Sequence, residues 1–325
     1  SRDGIDWEVP EPENPWANIG YWSDHQIIYL QKLLELAENY YPGELTKLLS
    51  DNSYVFADVP YEIKPFESIL KDPRNTIEFN YEKDKYIRNV RESIGSDGRL
   101  LQRENGELVH TNMIEKLVIL LCAKVTNFVP DGGIWMNTQR PEWNDANNAL
   151  VGYGISVVTL SYLVRFVDFL IDLLENNGSE YKMFPETKAW FEELNDSLQN
   201  NYTQLSKGIF VKARLTIIKE LGEAGSKYRE GIYKNSFSNE QVSVPKKNLL
   251  HFLHMVNSYF RQTLAYNFRK DGLIHSYNKL VFTNSGAEVH HLYEMLEGQV
   301  AALSSGAIEP EKAASILDAL ERSRL

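Results

Sequence analysis

The sequence predicts a mainly α fold in which helices form layers, either a helical toroid or a large bundle. From residue 112 almost to the end of the chain, apolar residues recur at helical spacing. The segment GISVVTLSYLVRFVDFLIDLLEN, at 154–176, is apolar on almost every face, which is typical of a helix surrounded by other helices. Segments such as ETKAWFEELNDSLQNNY have one apolar stripe and one charged face, as expected of an outer layer.

Apolar periodicity and stop signals place the individual elements along the chain. DHQIIYLQKLLELAENYY, at 24–41, has a helical pattern that Pro42-Gly43 ends. Residues 51–110 break into short irregular pieces, where Asn105-Gly106 between two short runs predicts a β-hairpin with a two-residue turn. Later helices are predicted at about 112–127, 154–176, 186–205, 208–224, 247–265, 288–304 and 310–323. Residues 1–325 are therefore predicted to form one helical domain with a partly β insertion at about 51–110.

Composition limits the partners that the protein can have. An apolar fraction of 43% and a charged fraction of 24% are those of a globular protein with a core. The formal net charge of −11, without a Lys/Arg-rich stripe, argues against a nucleic-acid partner. The longest apolar segment, 155–174, contains Arg165, Asp168 and Asp172, so no membrane span is predicted. The single cysteine, Cys122, is predicted to be a buried hydrophobe, and no feature of the sequence assigns a compartment.

The stretch RPEWNDANNALVG, at 140–152, places a tryptophan, acids and three asparagines ahead of the most apolar helix. One interpretation is helix capping, because Asn and Asp are among the best N-cap residues. The other is a sugar site, where an indole stacks on the apolar face of a sugar and planar polar groups bind its hydroxyls. The preceding DGGIWMNTQRPE adds further groups of this kind, and its Pro141 prevents a helix from continuing there. The candidate sugar contacts in this region are Trp135, Gln139, Arg140, Trp143 and Asn144.

Two further groups of residues bear on the chemistry. Asp145 would protonate a glycosidic oxygen in such a pocket if burial raised its pKa. GYWSDHQIIYL, at 20–30, repeats the pattern with Trp22 and Asp24 before a helix, although capping by Ser23 or Asp24 is the better explanation of this stretch when it is taken alone.

The histidines do not predict a metal site. His290 and His291 with Glu294, or His251 and His254, lack the HExxH spacing of a helical zinc site. The glycine-rich LGEAGSKY at 221–228 also lacks the spacing of a phosphate-binding loop. No metal and no bound cofactor is therefore predicted.

At the two Trp-Asp stretches the sequence resembles a known family. EWNDANNALVG resembles the DWNDG-N stretch of inverting sugar phosphorylases of the cellobiose and chitobiose phosphorylase type, and YWSDHQIIYLQKLLEL is similar to an SDD-containing helix start in the same enzymes. The resemblance is limited mainly to residues 20–40 and 130–165. It implies the (α/α)6 six-hairpin glycosidase fold, here a toroid that the chain need not complete. It also implies that Asp145 is the general acid, that Trp143 contacts the sugar in the −1 subsite and that Asp24 accepts sugar hydroxyls.

The departures from that family concern phosphate. The family has glycine where this chain has Ala146. Its large N-terminal β-sandwich has no counterpart in this sequence, and its phosphate-binding residues have no matching positions here. Phosphorolysis therefore follows less directly from the resemblance than sugar binding does.

The expected function is inverting cleavage of a glycosidic bond in a disaccharide or oligosaccharide. Inorganic phosphate would be the co-substrate of a phosphorylase, whereas a hydrolase needs a base carboxylate at about 6.5–9.5 Å from the acid. Glu288, Glu294 and Glu297, on the predicted late helix, are candidates for that base, although a solvated acidic face also explains each of them.

Two alternatives remain from the sequence. The first is a sugar-binding or scaffold domain that keeps the toroid without full catalysis. The second is a purely structural helical domain in which both Trp-Asp stretches are caps. The ends of the chain, SRDG and ERSRL, suggest flanking modules in a longer parent chain.

Overall fold

The computed structural model describes residues 1–4, 6–7, 20–21, 24–136, 150, 152–207 and 209–325. Its α-helices are α1 (Asp24–Tyr40), α2 (Glu44–Leu49), α3 (Phe66–Lys71), α4 (Tyr81–Ile94), α5 (Met113–Thr126), α6 (Val157–Glu175), α7 (Pro185–Asn200), α8 (Val211–Asn235), α9 (Lys246–Tyr266), α10 (Leu296–Ser304) and α11 (Pro310–Arg322). The strands are β1 (Asp6–Trp7), β2 (Gly20–Tyr21), β3 (Tyr54–Val55), β4 (Tyr61–Ile63), β5 (Ile77–Phe79), β6 (His110–Thr111), β7 (Phe128–Val129), β8 (Gly133–Trp135), β9 (Gly154–Ser156), β10 (Glu180–Met183), β11 (Val242–Pro245), β12 (Tyr277–Thr283) and β13 (Gly286–His291). Two 3₁₀ turns span Ser96–Arg99 and Tyr202–Lys207.

The prediction of a mainly α toroid is wrong. Helix makes up 58% and strand 16% of the structure, so the fold mixes helices with sheet. A five-stranded antiparallel sheet lies among the helices in the order β13-β12-β9-β8-β7. Its inward side chains, which include Ile134, Ile155 and Leu280, are buried in the core. Because part of the centre is a sheet rather than an inner layer of helices, the six-hairpin architecture does not describe this molecule.

Strand β13 occupies the first part of a segment that the sequence predicts to be helical. The segment predicted as one helix at 288–304 is strand β13 up to His291, and helix α10 starts only at Leu296. Strand β13 pairs with β12 from Asn278↔His291 to Thr283↔Gly286, which leaves Asn284-Ser285 as the hairpin loop. Strand β12 then joins the middle of the chain, with Tyr277 opposite Ser156 of β9.

Helix α6 is buried as its sequence predicts. Most of its residues are inaccessible, and it packs against α1, α9 and α10. Its N-cap is Ser156, whose Oγ accepts the Thr159 amide at 2.9 Å. A helix with neighbours on several sides can be apolar on nearly its whole circumference without exposing that surface to water.

Helix α8 runs beyond its predicted end at residue 224. The two glycines near that point, Gly222 and Gly225, are sites of close packing. A Cβ on Gly222 would lie 2.2 Å from the Phe66 ring, and one on Gly225 would lie 2.3 Å from the Thr126 side chain. Tertiary packing, which the local pattern does not contain, therefore explains both residues.

The predicted insertion at 51–110 consists of β3 to β6 with α3 and α4, and it packs on α8. Its hairpin at Asn105-Gly106 is confirmed, with Gln102 bridged to Leu108. The loop has three residues instead of two, because the Arg103 amide bonds the Glu107 carbonyl at 2.8 Å and the Gly106 amide bonds the Arg103 carbonyl at 2.9 Å. Gly106 has a φ of 83°, as the last residue of such a loop requires.

Two other expectations concern apolar residues. Cys122 is completely buried in α5, as predicted, and burial raises the pKa of its thiol. Among the described helices, none is both long and apolar enough to cross a bilayer.

Candidate functional site

Most of the predicted sugar-site residues fall outside the described part of the chain. The segment 137–149 contains Gln139, Arg140, Trp143, Asn144 and Asp145, and none of its residues is described. Trp22 is outside as well. Helix α1 begins at Asp24, as the sequence predicts, but the side chain of Asp24 is not among those described. The roles of these residues stay predictions.

Residues 137–149, which we call the polar loop, follow β8 and precede β9 in the sequence. These two strands pair through Ile134↔Ser156 and Trp135↔Ile155. The Met136 amide donates to the Gly154 carbonyl at 2.9 Å, and the Gly154 amide donates to the Leu150 carbonyl at 2.7 Å. The described residues on either side of the polar loop are thus held next to each other on a buried sheet.

The position of helix α6 bears on the capping alternative. The N-cap of this helix is Ser156, and strand β9 lies between the helix and the polar loop. The start of this helix is therefore explained by a residue that lies outside the polar loop.

Trp135 belongs to the core, which corrects its assignment as an open sugar platform. Only 1% of its surface is exposed. Its ring packs edge-on with Phe66 and Phe282, at centroid distances of 6.5 and 5.7 Å, and its Nε1 donates to the Gly152 carbonyl at 2.9 Å. A ring enclosed in this way has no face open to a sugar, but it holds the backbone at the base of the polar loop.

A cavity opens where the polar loop returns to the sheet. Its volume is about 510 Å³, within the usual range for small-molecule sites. We call it the Tyr153 groove, and it is lined by Leu70, Lys71, Pro73, Arg74, Leu150, Tyr153, Lys279, Leu280, Val281 and Phe282. The lining combines two aromatic rings, apolar side chains and three cations, a combination able to hold a small polar molecule.

The walls of the Tyr153 groove are locked together at Gly152. This residue has a φ of 78°, and a Cβ there would lie 2.5 Å from the Pro73 carbonyl oxygen. The close approach fixes the turn after α3 against the segment that enters β9. The Arg74 guanidinium carbon sits 5.4 Å from the centroid of the Tyr153 ring, a cation–π distance. No local sequence pattern singles out Lys71, Arg74, Tyr153 and Lys279, because they come from three separate stretches that only the fold brings together.

The three candidate base glutamates do not share one helix, which corrects that expectation. Glu288 is on strand β13, Glu294 is in the connection that follows, and Glu297 is in the first turn of α10. Glu288 lies 3.0 Å from the His290 ring, which lowers the pKa of its carboxyl. Glu294 accepts from Arg269 at 3.3 Å. The first two are thus already engaged by cationic or ionisable partners.

A buried ion pair joins α8 to the turn between β7 and β8. The side chains of Asp131 and Arg214 are 2% and 7% exposed, and their charged atoms are 2.8 Å apart. Arg214 also donates to three backbone carbonyls, those of Pro130, Ile209 and Ala287, at 2.8 to 3.0 Å. Asp131 has a φ of 63°, a left-handed conformation that Asp tolerates better than most residues. The satisfied partners identify this pair as a structural tie between helix and sheet.

A series of hydrogen bonds leads from this ion pair to two stacked histidines. Asn267 donates to the Asp131 carbonyl at 3.1 Å, and Asn278 donates to Asn267 at 2.8 Å. Because the Asn278 amide nitrogen is used in that bond, its oxygen faces His291 Nδ1 at 2.8 Å, so Nδ1 carries the proton. The His291 and His275 rings stack at 4.0 Å between centroids, with planes 4° apart.

Burial and neighbouring cationic or ionisable groups lower the pKa of both histidines. Burial, with His291 and Arg269 nearby, lowers the pKa of His275 to about 4. Burial and the neighbouring Arg269 also lower the pKa of His291. Both rings are therefore neutral at physiological pH. Within the described residues, no three His, Cys, Asp or Glu side chains are grouped so as to hold a metal ion.

Comparison with known proteins adds no assignment. No protein-family model matches the chain, and no curated protein matches it.

Proposed function

We propose that the chain is a carbohydrate-active domain in which the polar loop delivers Asp145, as general acid, to a saccharide bound at the Tyr153 groove. Cleavage would proceed with inversion. The observation that carries this proposal is the pairing of β8 with β9, the strands that flank the polar loop in the sequence, next to a cavity of about 510 Å³. Binding loops that extend from a rigid scaffold are a common way to build a site.

The capping geometry supports the proposal indirectly. Since Ser156 caps α6, the Trp-Asn-Asp sequence of the polar loop is not needed to start that helix. A ligand-binding role accounts for the presence of an indole, amides, a guanidinium and a carboxylate within a few residues. The resemblance of EWNDANNALVG to the acid-bearing stretch of inverting sugar phosphorylases agrees with this role.

The chemistry requires one acid and one nucleophile. Asp145 gives its proton to the glycosidic oxygen as the bond from that oxygen to the anomeric carbon breaks, and the nucleophile attacks the opposite face of the sugar. Phosphate attacks without a further base, whereas water must lose a proton to a second carboxylate. The ion pairs of Glu288 and Glu294 make these two weaker candidates for that carboxylate than a free glutamate would be.

The test is product release from a panel of β-linked disaccharides, with and without inorganic phosphate. Wild type is compared with Asp145→Asn and with Asp196→Asn, a matched change at an exposed position on α7. We expect Asp145→Asn to lower the rate about 100-fold or more, because a positioned general acid contributes roughly 10²–10⁴-fold. Asp196→Asn should keep the wild-type rate.

Each outcome assigns the function differently. A sugar 1-phosphate that forms only with phosphate identifies a phosphorylase, and sugar release without phosphate identifies a hydrolase. Saccharide binding without turnover in wild type would refute catalysis and establish the sugar-binding domain. Equal rates for Asp145→Asn and wild type would remove Asp145 from the acid role.

A further inference from the structure

The Tyr153 groove is positively charged, although the chain as a whole is negatively charged. Three of its ten lining residues, Lys71, Arg74 and Lys279, are cationic, and none of the ten is acidic. The chain as a whole carries a formal charge of −11. A cleft that gathers charge of one sign concentrates ligands of the opposite sign. This groove is therefore positive on a molecule whose overall charge repels anions.

The three cations are available to a ligand. Within the described part of the chain, no carboxylate forms a salt bridge with Lys71, Arg74 or Lys279, and all three side chains are exposed. The nearest acid in the sequence, Asp72, does not line the groove, and its carboxylate accepts the backbone amide of Arg74 at 3.2 Å.

The groove is also held in shape before any ligand arrives. The contact of Gly152 with Pro73 sets the distance between the turn carrying Arg74 and the segment carrying Tyr153. The Tyr153 ring in turn lies against the Arg74 guanidinium, whose planar N–H groups suit the paired oxygens of a carboxylate, sulfate or phosphoryl group. Lys279, on β12, adds a further positive charge to the lining.

We infer that the Tyr153 groove binds an oxyanion and that the saccharide it receives is acidic, carrying a carboxylate, sulfate or phosphoryl substituent. The oxyanion site follows from the groove alone. The acidic saccharide rests, in addition, on the proposed carbohydrate function. Arg74 and Lys279 would bind the anionic group, and the Tyr153 ring would bound the sugar beside it.

The first experiment measures oxyanion binding on the full chain by isothermal titration calorimetry, with inorganic phosphate and sulfate as probes and chloride at matched ionic strength. Arg74→Gln and Lys279→Gln should each weaken phosphate binding roughly tenfold, the loss expected for one charge-assisted hydrogen bond. Lys219→Gln, on the exposed face of α8, makes the same charge change outside the groove and should have no effect. Equal weakening by all three variants, or heat no larger than with chloride, would overturn the oxyanion site.

The second experiment compares glucuronate, glucose 1-phosphate and glucose as ligands of the same proteins. Glucuronate or glucose 1-phosphate should bind at least tenfold more tightly than glucose, and Arg74→Gln should abolish the difference. If inorganic oxyanions bind but neither acidic sugar exceeds glucose, the acidic saccharide is refuted and the oxyanion site stands. If acidic sugars bind and Asp145→Asn changes no rate, the catalytic proposal fails while the inference about the groove stands. Tighter binding of glucose 1-phosphate than of glucuronate would identify the acidic substituent of the saccharide as a phosphoryl group.

Discussion

Two arginines beside the same sheet have opposite environments. Arg214 is buried, pairs with Asp131 and donates to three backbone carbonyls. Arg74 is exposed at a groove that no acid lines, and its guanidinium rests on the Tyr153 ring. The first side chain has its hydrogen-bonding capacity used inside the protein, whereas the second presents it to solvent.

The difference separates a structural charge from a binding charge. A buried cation is tolerated only when the fold supplies its partners, so its removal disturbs the fold. A cation held at the mouth of a cavity without a carboxylate partner contributes little to stability and offers its charge to a ligand. Stability measurements and binding measurements should therefore respond to different residues.

The largest expected effect is at the buried pair. Arg214→Met should lower the free energy of unfolding by about 3–5 kcal/mol, since it leaves the Asp131 carboxylate buried without its counter-ion. Urea denaturation at pH 7 measures this loss. Arg74→Met is the matched change at the groove, and we expect it to alter stability by less than about 0.5 kcal/mol. Comparable losses in the two variants would show that the two environments do not differ as the structure indicates.

A smaller loss of stability is expected from a substitution of Gly152, whose contact with Pro73 holds the two walls of the groove together. Gly152→Ala should lower the free energy of unfolding by about 2 kcal/mol, because alanine is unfavourable at a φ of 78° and its Cβ would meet the Pro73 carbonyl. The same variant should weaken phosphate binding, since the two walls would separate. The control is Gly231→Ala on α8, where a Cβ meets nothing within 4 Å and helix propensity should raise stability by about 0.5–1 kcal/mol. Unchanged stability and binding in Gly152→Ala would contradict the locking of the walls.

The effect that is smallest at pH 7 comes from the stacked histidines, and it grows as the pH falls. The pKa of His275 is about 4 in the folded chain and about 6.5 when unfolded, so the unfolded chain takes up the proton first. The free energy of unfolding should therefore fall as the pH falls from about 6.5 towards 4. His275→Gln should make that fall shallower, as measured by urea denaturation at several pH values. His254→Gln, at an exposed position on α9, should keep the wild-type slope, and equal slopes in both variants would argue against this role of His275.

Prediction from the sequence is correct where the signal is long and local. The limits of α6 and the end of α1 before Pro42-Gly43 follow from apolar periodicity and from a strong stop signal. It failed for the central sheet, because β7, β8 and β9 are two or three residues long and show no alternation that a pattern search could detect. Val289, Leu292 and Leu296 repeat at helical spacing, yet pairing with β12 makes the first of them a strand residue.

The candidate site was only partly predictable for a related reason. A dense polar stretch such as 140–148 is visible in the sequence, since its residues are consecutive. Arg74, Tyr153 and Lys279 are each ordinary when considered alone. They become a site only through β9 and β12, whose pairing joins distant parts of the chain.

The pairing of Ser156 with Tyr277 also has a consequence for how the chain is made. While the ribosome is still synthesising the segments between these residues, β9 has its partner β8 on one side only, and its other edge is open to pairing. The sheet can close only after the β12–β13 hairpin has emerged, so the last folding step should be slow and dominated by a contact between distant segments. We therefore expect nascent chains that stop before residue 277 to be more prone to aggregation than the complete domain.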